Sequence, residues 1–236
     1  MHCTILIPAY NTERYIKTAI SSALRQTYSD FDILIVDDGS TDRTREIAER
    51  CVPGNPISLL TLPHRGVTYA TKIGLEHALG PVVTVLDSDD RLFPWSLEVA
   101  MPYFEERSDL GFLWTRFVCS NGKPGWSGDL PYGHTLWSAL VKKKWWRASH
   151  QRFVRKEIYM QSRGLDPSIP YASDLQLAVV MASTGCATQH VPKVTYWYRV
   201  NRLGSISRNR KEQRECAALI LRRAKGWERA DHQRRV

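Results

Sequence analysis

VVTVLDSDD, residues 82–90, joins a run of five aliphatic or β-branched residues to three carboxylates. A short apolar run of this kind predicts a buried parallel strand, with Asp87, Asp89 and Asp90 clustered at its C-terminal end. Carboxylates this close repel one another unless a cation or a donor-rich ligand neutralises them, and their oxygens suit Mg²⁺ or Mn²⁺. The competing interpretation is a helix cap with an acidic first turn before Leu92. The stretch therefore predicts a strand end that carries either a divalent-metal site or a helix start.

The sequence before this stretch alternates strand patterns with helix patterns. Strand-like runs cover 4–7, 31–36 and 57–62, and helical spacing follows them at 12–24, 42–50 and 66–79. This alternation with short joints predicts an α/β fold, with a Rossmann-like, mainly parallel sheet flanked by helices. Farther along, we expect a helix to about 106, a strand at 110–118, mostly helix over 134–162, a helix at 170–184 and a strand at 191–200. The rest predicts a basic helical extension or tail.

Size, charge and cysteines limit the class of protein. The 236 residues, 43% of them hydrophobic, suffice for one large domain with a C-terminal appendage. Residues 199–236 carry 12 of the 33 Lys and Arg residues but only 4 of the 24 acidic ones, so the tail is basic. Five cysteines without a CxxC pair are typical of a reducing compartment. With no signal-peptide pattern and no apolar run of membrane-spanning length, we expect a cytoplasmic protein.

A second acidic group, Asp37-Asp38-Gly39-Ser40-Thr41-Asp42, ends the second predicted strand as residues 87–90 end the fourth. The C-terminal ends of parallel strands meet at one sheet edge, where α/β proteins bind ligands. A carboxylate there can accept a hydrogen bond from the ring N–H of a uracil, thymine or guanine base, and Gly39 allows a close backbone approach. Each group alone would fit a turn and helix cap. Both on one edge indicate a cleft for a nucleotide and a metal.

Four segments together resemble family 2 glycosyltransferases with the GT-A fold: 7–11 (IPAYN), 36–42 (VDDGSTD), Gly66-Val67 with Ala70 and Gly74, and 86–92 (LDSDDRL). The resemblance covers about residues 3–205. It implies one glycosyltransferase domain at 1–205, with a nucleotide-binding part at 1–100 and an acceptor-binding part at 101–205, and a basic helix or tail at 206–236. It also implies inverting transfer of a sugar from a nucleotide-diphosphate donor, favouring a UDP- or dTDP-sugar, with Mn²⁺ or Mg²⁺.

The resemblance assigns roles to the residues that match the family motifs. Asp38 would contact the base, and Asp87 and Asp89 match the family's D-x-D metal motif, with Asp90 a further candidate ligand. The expected donor site also includes Pro8, Tyr10, Asn11, Asp37 and Ser88, together with Lys72 and Arg199. The Q-x-x-R-W motif of the family's processive synthases is absent from the sequence, which favours the transfer of a single sugar.

Asp174 is the residue that the resemblance implies as catalytic base. It lies in the segment 171–177 (YASDLQL), where family members carry an acid at a helix start, although Ser173 stands where an acidic neighbour is common. A first-turn Asp that interacts with the helix dipole is the competing interpretation. Arg199 could reach the diphosphate, or could be a solvated surface charge. Lys72 stands where relatives commonly carry Asn after Arg, and could supply positive charge to the phosphates.

The acceptor side contains a basic and aromatic segment. Residues 142–157 include Lys142-Lys143-Lys144-Trp145-Trp146-Arg147. This composition suits a lipid-linked sugar or another glycan acceptor, peripheral contact with the inner face of an anionic membrane, or a nucleic-acid acceptor. An amphipathic helix with core-facing tryptophans explains it equally well. Trp114, Trp126 and Trp137 could stack on sugars or belong to the core.

Two other functions compete with glycosyl transfer. A nucleotidyltransferase would also use a metal and an α/β sheet, but usually carries a Gly-rich loop with Arg and Lys after the first strand, where this chain has Pro8-Ala9-Tyr10-Asn11. A non-catalytic module that binds membranes or nucleic acid on a GT-A body would show steeply salt-dependent binding that the aspartates do not affect.

Overall fold

The computed structural model describes residues 1–125, 128–129, 134–142, 150–200 and 209–233, with side chains as far as Trp227. The strands are β1 Cys3–Ala9, β2 Phe31–Asp37, β3 Ile57–Thr61, β4 Val82–Val85, β5 Arg91–Leu92, β6 Leu110–Cys119, β7 Arg152–Arg155 and β8 Ala187–Tyr198. The helices are α1 Ile16–Leu24, α2 Thr44–Cys51, α3 Val67–His77, α4 Ser96–Glu106, α5 Lys156–Met160, α6 Ser173–Ser183 and α7 Arg210–Gln233, with a short π-helix at Ser138–Lys142.

One sheet contains all eight of these strands, in the order β3-β2-β1-β4-β7-β6-β8-β5. The pairs formed by β1 with β2, β1 with β4, β2 with β3 and β6 with β8 are parallel. β7 is antiparallel to both of its neighbours, and β5 is antiparallel to β8. The predicted α/β fold with a mainly parallel sheet and flanking helices is therefore confirmed.

Alternation along β1 shows why this sheet has a core on each face. Every residue of β1 is buried. Leu6 packs in the cluster beneath α3 and α6, whereas Ile5 and Ile7 pack in the opposite cluster with Ile16 and Ile20 of α1. Successive side chains of a strand point to opposite faces, so a continuous apolar run is what a strand covered on both sides requires.

The expectation of mostly helix over 134–162 is wrong where the structure describes this stretch. The π-helix and α5 are short, and β7 lies between them, inserted between β4 and β6. Phe153 and Val154 of this strand enter opposite cores. A short apolar run cannot be assigned to strand or helix from periodicity alone. The strand β5 was likewise not predicted, and β8 begins at Ala187 rather than at Val191.

The C-terminal extension is helical, as predicted, and α7 packs against α6 and the π-helix. Ile220 and Ala224 on its inner side are 2% and 0% exposed. Its helical register leaves Lys211, Arg214 and Arg222 exposed on the outer side. None of the described helices is both long enough and apolar enough to cross a bilayer.

Candidate functional site

The two acidic groups lie at one edge of the sheet. β1 pairs in parallel with β2 on one side and β4 on the other, so the residues that follow these three strands emerge together. Asp37 ends β2, and Asp87 follows β4 after Leu86. The structure thus confirms the expected strand arrangement, and the site is built from the loops that leave this edge.

The carboxyl group of Asp90 is the most buried of the three in the loop after β4, with the residue 1% exposed. Its Oδ2 accepts a hydrogen bond from the Tyr196 hydroxyl at 2.7 Å, and its Oδ1 accepts one from the Arg199 backbone N–H at 2.7 Å. Burial, with repulsion from Asp87 and Asp89, raises the pKa of Asp90 well above its ordinary value. A cation beside this carboxyl would favour the charged form that its surroundings disfavour.

Tyr196 connects Asp90 to Asp87, because its hydroxyl oxygen also accepts the Asp87 backbone N–H at 3.2 Å. The side chain is fully buried, and burial followed by the charges of Asp87 and Asp90 raises the pKa of Tyr196 well above its ordinary value. Tyr196 reaches this loop because β8 pairs with β5, directly after the acidic residues. The phenol therefore stays protonated and fixes the loop from the neighbouring strand.

Asp87, Asp90 and His150 form a group that could hold a metal ion: one ligand atom from each lies within 4.8 Å of the others. Two carboxylate oxygens and an imidazole nitrogen suit Mn²⁺ and other divalent ions. Asp89 does not belong to this group; its backbone carbonyl accepts a hydrogen bond from Arg199 Nε at 2.9 Å. The geometry thus favours Asp87 and Asp90 over Asp89 among the three predicted ligands.

His150 is fixed in place by its aromatic neighbours. It has a φ of +60°, and its ring centroid lies 4.1 Å from those of both Phe117 and Tyr198. Burial, with the charge of Arg152, lowers the pKa of His150 to about 3. A neutral imidazole is the form that binds metals, so the surroundings prepare this side chain as a ligand.

Asp38 orders the loop between β3 and α3. Its Oδ1 accepts the Arg65 backbone N–H at 2.9 Å, its Oδ2 accepts the Gly66 N–H at 2.8 Å, and His64 Nδ1 lies 2.8 Å from Oδ2. The His64 ring stacks on Tyr10, with ring centroids 3.8 Å apart. Two of the residues predicted for a base pocket, Tyr10 and Asp38, thus both contact His64, with the Asp38 side chain 2% exposed.

The loop after β2 is tied to the loop after β1 by Asn11. The Asn11 side-chain oxygen accepts the Thr41 backbone N–H at 2.8 Å, and the Asn11 backbone N–H donates to Ser40 Oγ at 3.1 Å. Gly39 has a φ of +70°, and a Cβ there would lie 2.8 Å from the His64 backbone nitrogen. The absence of a side chain at Gly39 therefore allows this loop to approach the β3–α3 loop. The expectation from the sequence was a close approach to a ligand.

The other predicted donor-site residues take varied positions. Pro8 and Ser88 are buried, and Asp37 is 1% exposed, with Oδ1 accepting the Ser40 N–H at 3.3 Å. The guanidinium of Arg199 lies 4.5 Å from the centre of the Tyr15 ring. Lys72 lies half-buried on α3.

Asp174 lies in the first turn of α6, which begins after Ala172 in the left-handed conformation. Its Oδ2 is 3.7 Å from Nη1 of Arg152, a residue of β7. The Asp174 side chain is 34% exposed, whereas that of Arg152 is 5% exposed. The Asp174 carboxylate is thus partly open to solvent, with the buried guanidinium of Arg152 behind it.

The model of glycosyl transferase family 2 matches residues 4–163, which is more than half of the sequence. The chain belongs to this family. A chondroitin synthase of Pasteurella multocida is 28% identical over 197 residues, which cover 82% of this chain and 20% of the relative. An uncharacterized glycosyltransferase of Nostoc is 36% identical over 115 residues, covering 48% of this chain and 36% of the relative. This chain thus spans well under half of the length of these relatives.

Solved structures of similar fold include S. aureus TarS 1–349 in complex with UDP-GlcNAc, with a TM-score of 0.72 and 21% identity over 93% of this chain and 65% of that one. A mannosyltransferase from Pyrobaculum calidifontis, in complex with GDP-Man and Mn²⁺, has a TM-score of 0.65 and 21% identity, over 86% of this chain and 58% of that one. These structures establish the GT-A fold of this family 2 glycosyltransferase domain.

The tryptophans expected at the acceptor side of this domain have different surroundings. Trp114 is 1% exposed and donates a hydrogen bond from Nε1 to the Gly128 carbonyl at 3.1 Å, so its ring belongs to the core. Trp137 packs on Trp227 of α7, with centroids 6.2 Å apart. Trp126 lies outside the described residues, as do residues 143–149 of the basic segment and residues 201–208.

Four residues of the candidate site were not predicted from the sequence: His64, His150, Arg152 and Tyr196. His64 follows a predicted strand, a position that offered a signal. Arg152 lies in β7, Tyr196 lies in β8 and His150 comes just before β7, so these three contact the site only because β7 and β8 join the sheet. A predicted pairing of β8 with the acidic loop would have identified Tyr196, but nothing in the local sequence around His150 or Arg152 indicates a site.

Proposed function

We propose that this domain transfers one sugar from a UDP-sugar to an acceptor hydroxyl, with inversion at the anomeric carbon and with a divalent metal. The observation that carries the proposal is the group of Asp87, Asp90 and His150, at the sheet edge that also carries the Asp38 loop. The complexes of similar folds with UDP-GlcNAc and with GDP-Man and Mn²⁺ support the choice of ligands.

In the proposed reaction, Asp174 accepts the proton of the acceptor hydroxyl as that oxygen bonds to the anomeric carbon. The bond from this carbon to the diphosphate oxygen breaks, and its electron pair leaves with UDP. A metal ion held by Asp87, Asp90 and His150 would supply positive charge where the diphosphate becomes more negative. Attack from the face opposite the leaving group inverts the anomeric centre.

The donor site in this proposal uses the Asp38 loop for the base. Asp38 would accept the ring N–H of uracil, and the stacked rings of Tyr10 and His64 would present an apolar face to it. Arg199 lies beside the acidic loop through its contact with the Asp89 carbonyl, and would meet the diphosphate. A dTDP-sugar offers the same ring N–H, so the test includes both nucleotides.

The acceptor that we propose is a lipid-linked sugar or another glycan. The basic character of residues 142–157 supports an anionic acceptor or membrane surface nearby. A nucleic-acid acceptor is the second candidate, and a steep fall of binding with salt would favour it.

Release of the nucleotide tests the proposal directly. The full chain is incubated with Mn²⁺ and each of a set of UDP- and dTDP-sugars, and free nucleotide is measured with and without saccharide acceptors. We expect one donor to be consumed, with loss of about 10²-fold or more in rate for Asp174→Asn. Asp90→Asn is expected to lose metal-dependent donor binding. If wild type consumes none of these donors and none alters its melting temperature with Mn²⁺, the proposal is wrong.

A further inference from the structure

Arg152 is a buried cation whose hydrogen-bonding capacity is poorly used. It is 4% exposed, and its Nε and Nη1 atoms have no hydrogen-bond partner among the residues that the structure describes. Arg155, on the same strand, is also buried, yet its Nε donates to the Leu110 carbonyl and its Nη2 to those of Phe104 and Arg107. Arg155 therefore stabilises the fold, whereas the contacts of Arg152 do not explain its burial.

The carboxylate of Asp174 is the acidic group that faces Arg152 in the described part of the chain. The 3.7 Å between Nη1 and Oδ2 allows attraction but is too long for a hydrogen bond. Leaving a buried guanidinium incompletely paired costs stability, and such departures from good packing are concentrated at functional sites. Catalytic contacts are often long in the unliganded protein and shorten when substrate binds.

The backbone around Arg152 is held firmly, which fixes the origin of its side chain. Gln151 is fully buried, and its side-chain oxygen accepts hydrogen bonds from Ser96 Oγ at 2.8 Å and Thr195 Oγ1 at 2.6 Å. The hydroxyl of Thr84 donates to the Arg152 carbonyl at 2.9 Å. Three consecutive residues therefore contact three different parts of the molecule. His150 lies beside Asp87 and Asp90, Gln151 belongs to the buried hydrogen-bond network, and Arg152 faces the first turn of α6.

We propose that Arg152 is a positioning residue for Asp174. Its guanidinium orients the carboxylate toward the acceptor hydroxyl, and the contact closes to a hydrogen bond when the substrates are bound. This inference rests on the proposed function, since it assigns to Asp174 the role of base. It explains the presence of a buried cation where an apolar residue would pack more favourably.

A double-mutant cycle on turnover tests this role. Arg152→Met is expected to lower kcat by up to about 10²-fold, because a displaced base loses its alignment with the hydroxyl. The donor KM should stay within about twofold, because Arg152 does not bind the nucleotide. Arg152→Met added to Asp174→Asn should cost no further activity, because Arg152 acts through that carboxylate. Arg152→Lys is expected to recover part of the loss.

Thermal unfolding of the same proteins, with Arg155→Met as the matched control, separates positioning from folding. Arg155→Met is expected to lower the melting temperature, whereas Arg152→Met should leave it unchanged or raise it. An equal fall of the melting temperature in Arg152→Met and Arg155→Met would overturn the positioning role. So would additive losses of kcat from Arg152→Met and Asp174→Asn in the double-mutant cycle. A wild type without transfer activity overturns the proposed function as well. Activity that disappears in Asp174→Asn but persists in Arg152→Met overturns this inference alone.

Discussion

At the scale of single residues, the phenol of Tyr196 is the contact that holds the acidic loop together. It donates to Asp90 and accepts from the backbone of Asp87, two residues of the proposed metal group. We expect Tyr196→Phe to weaken Mn²⁺-dependent binding of the donor by about 10- to 100-fold, as outer-shell partners of metal ligands commonly do. Isothermal titration with UDP at fixed Mn²⁺ measures this effect.

Tyr159→Phe provides the matched control for that substitution. Tyr159 is also buried, and its hydroxyl accepts the Leu165 N–H at 3.3 Å, away from the acidic loop. Tyr159→Phe should lose about 1 kcal/mol of unfolding free energy with its one hydrogen bond, and Tyr196→Phe about 2–4 kcal/mol with its two, one of which goes to a carboxyl group. UDP affinity should fall in the Tyr196 variant only, and equal affinities in the two would show that the phenol does not support the metal group.

Asp38 allows a second test at this scale. Asp38→Asn replaces a carboxylate oxygen with an N–H group that faces a backbone donor, of Arg65 or Gly66. We expect a loss of about 1–3 kcal/mol in unfolding free energy, measured in urea, together with weaker UDP binding. Asp42→Asn is the control, because Asp42 accepts the Thr44 and Glu13 N–H groups without reaching the β3–α3 loop. If Asp38→Asn binds UDP as tightly as wild type does, Asp38 does not contribute to a base pocket.

The residues that the sequence predicted and those that it missed differ in how they reach the site. Asp38 and Asp87 follow parallel strands, so the shared direction of the strand ends was enough to bring their loops together. Arg152 is the first residue of β7, a strand that runs antiparallel between β4 and β6, and His150 lies just before it. Local periodicity contains no information on that insertion, and so could not indicate that an imidazole completes the acidic group.

At the scale of elements, α3 depends on a glycine for its contact with the sheet. A Cβ at Gly74 would lie 2.2 Å from Leu6 Cδ1, and Leu6 is fully buried in β1. We expect Gly74→Ala to destabilise the protein by about 1–3 kcal/mol through overpacking, although alanine favours helix. Gly226→Ala in α7 has open space and should stabilise by about 0.5–1 kcal/mol. If urea unfolding gives both substitutions the same sign, helix propensity rather than this contact dominates.

The start of β1 has a pH-dependent link to β2. Burial alone would lower the pKa of His2, but hydrogen bonds to Asp30 and Asp32 raise this pKa above its ordinary value. A raised folded-state pKa gives stability that is fully present below the unfolded-state value and is lost as pH rises through the folded-state value. The stability difference between wild type and His2→Asn should therefore be larger at pH 5.5 than at pH 8.5. A difference that is constant with pH would show that the charged form of His2 has no effect.

At the scale of the whole molecule, the site exists because the two halves of the chain share one sheet. β8 extends from its pairing with β6 to its pairing with β5, and thereby brings Tyr196 and Arg199 against the loop after β4. The prediction of the fold succeeded because the alternation of strand and helix before Leu92 is regular. The order of β7, β6, β8 and β5 depends on contacts between distant segments, which a single sequence does not display.

This joining of the halves implies that a metal ion should stabilise the entire domain, and not only the loop. Two carboxylates and an imidazole converge from segments before and after β6, so an ion bound only by the folded state raises its stability. At 100 times its Kd, Mn²⁺ should add about 2.7 kcal/mol. For a chain of this size, that is a rise of about 5–10 °C in Tm. Chelation should reverse the rise, and His150→Ala should abolish most of it. His77→Ala, which alters an exposed histidine of α3, should keep it; an equal rise in both variants would mean that the ion binds elsewhere.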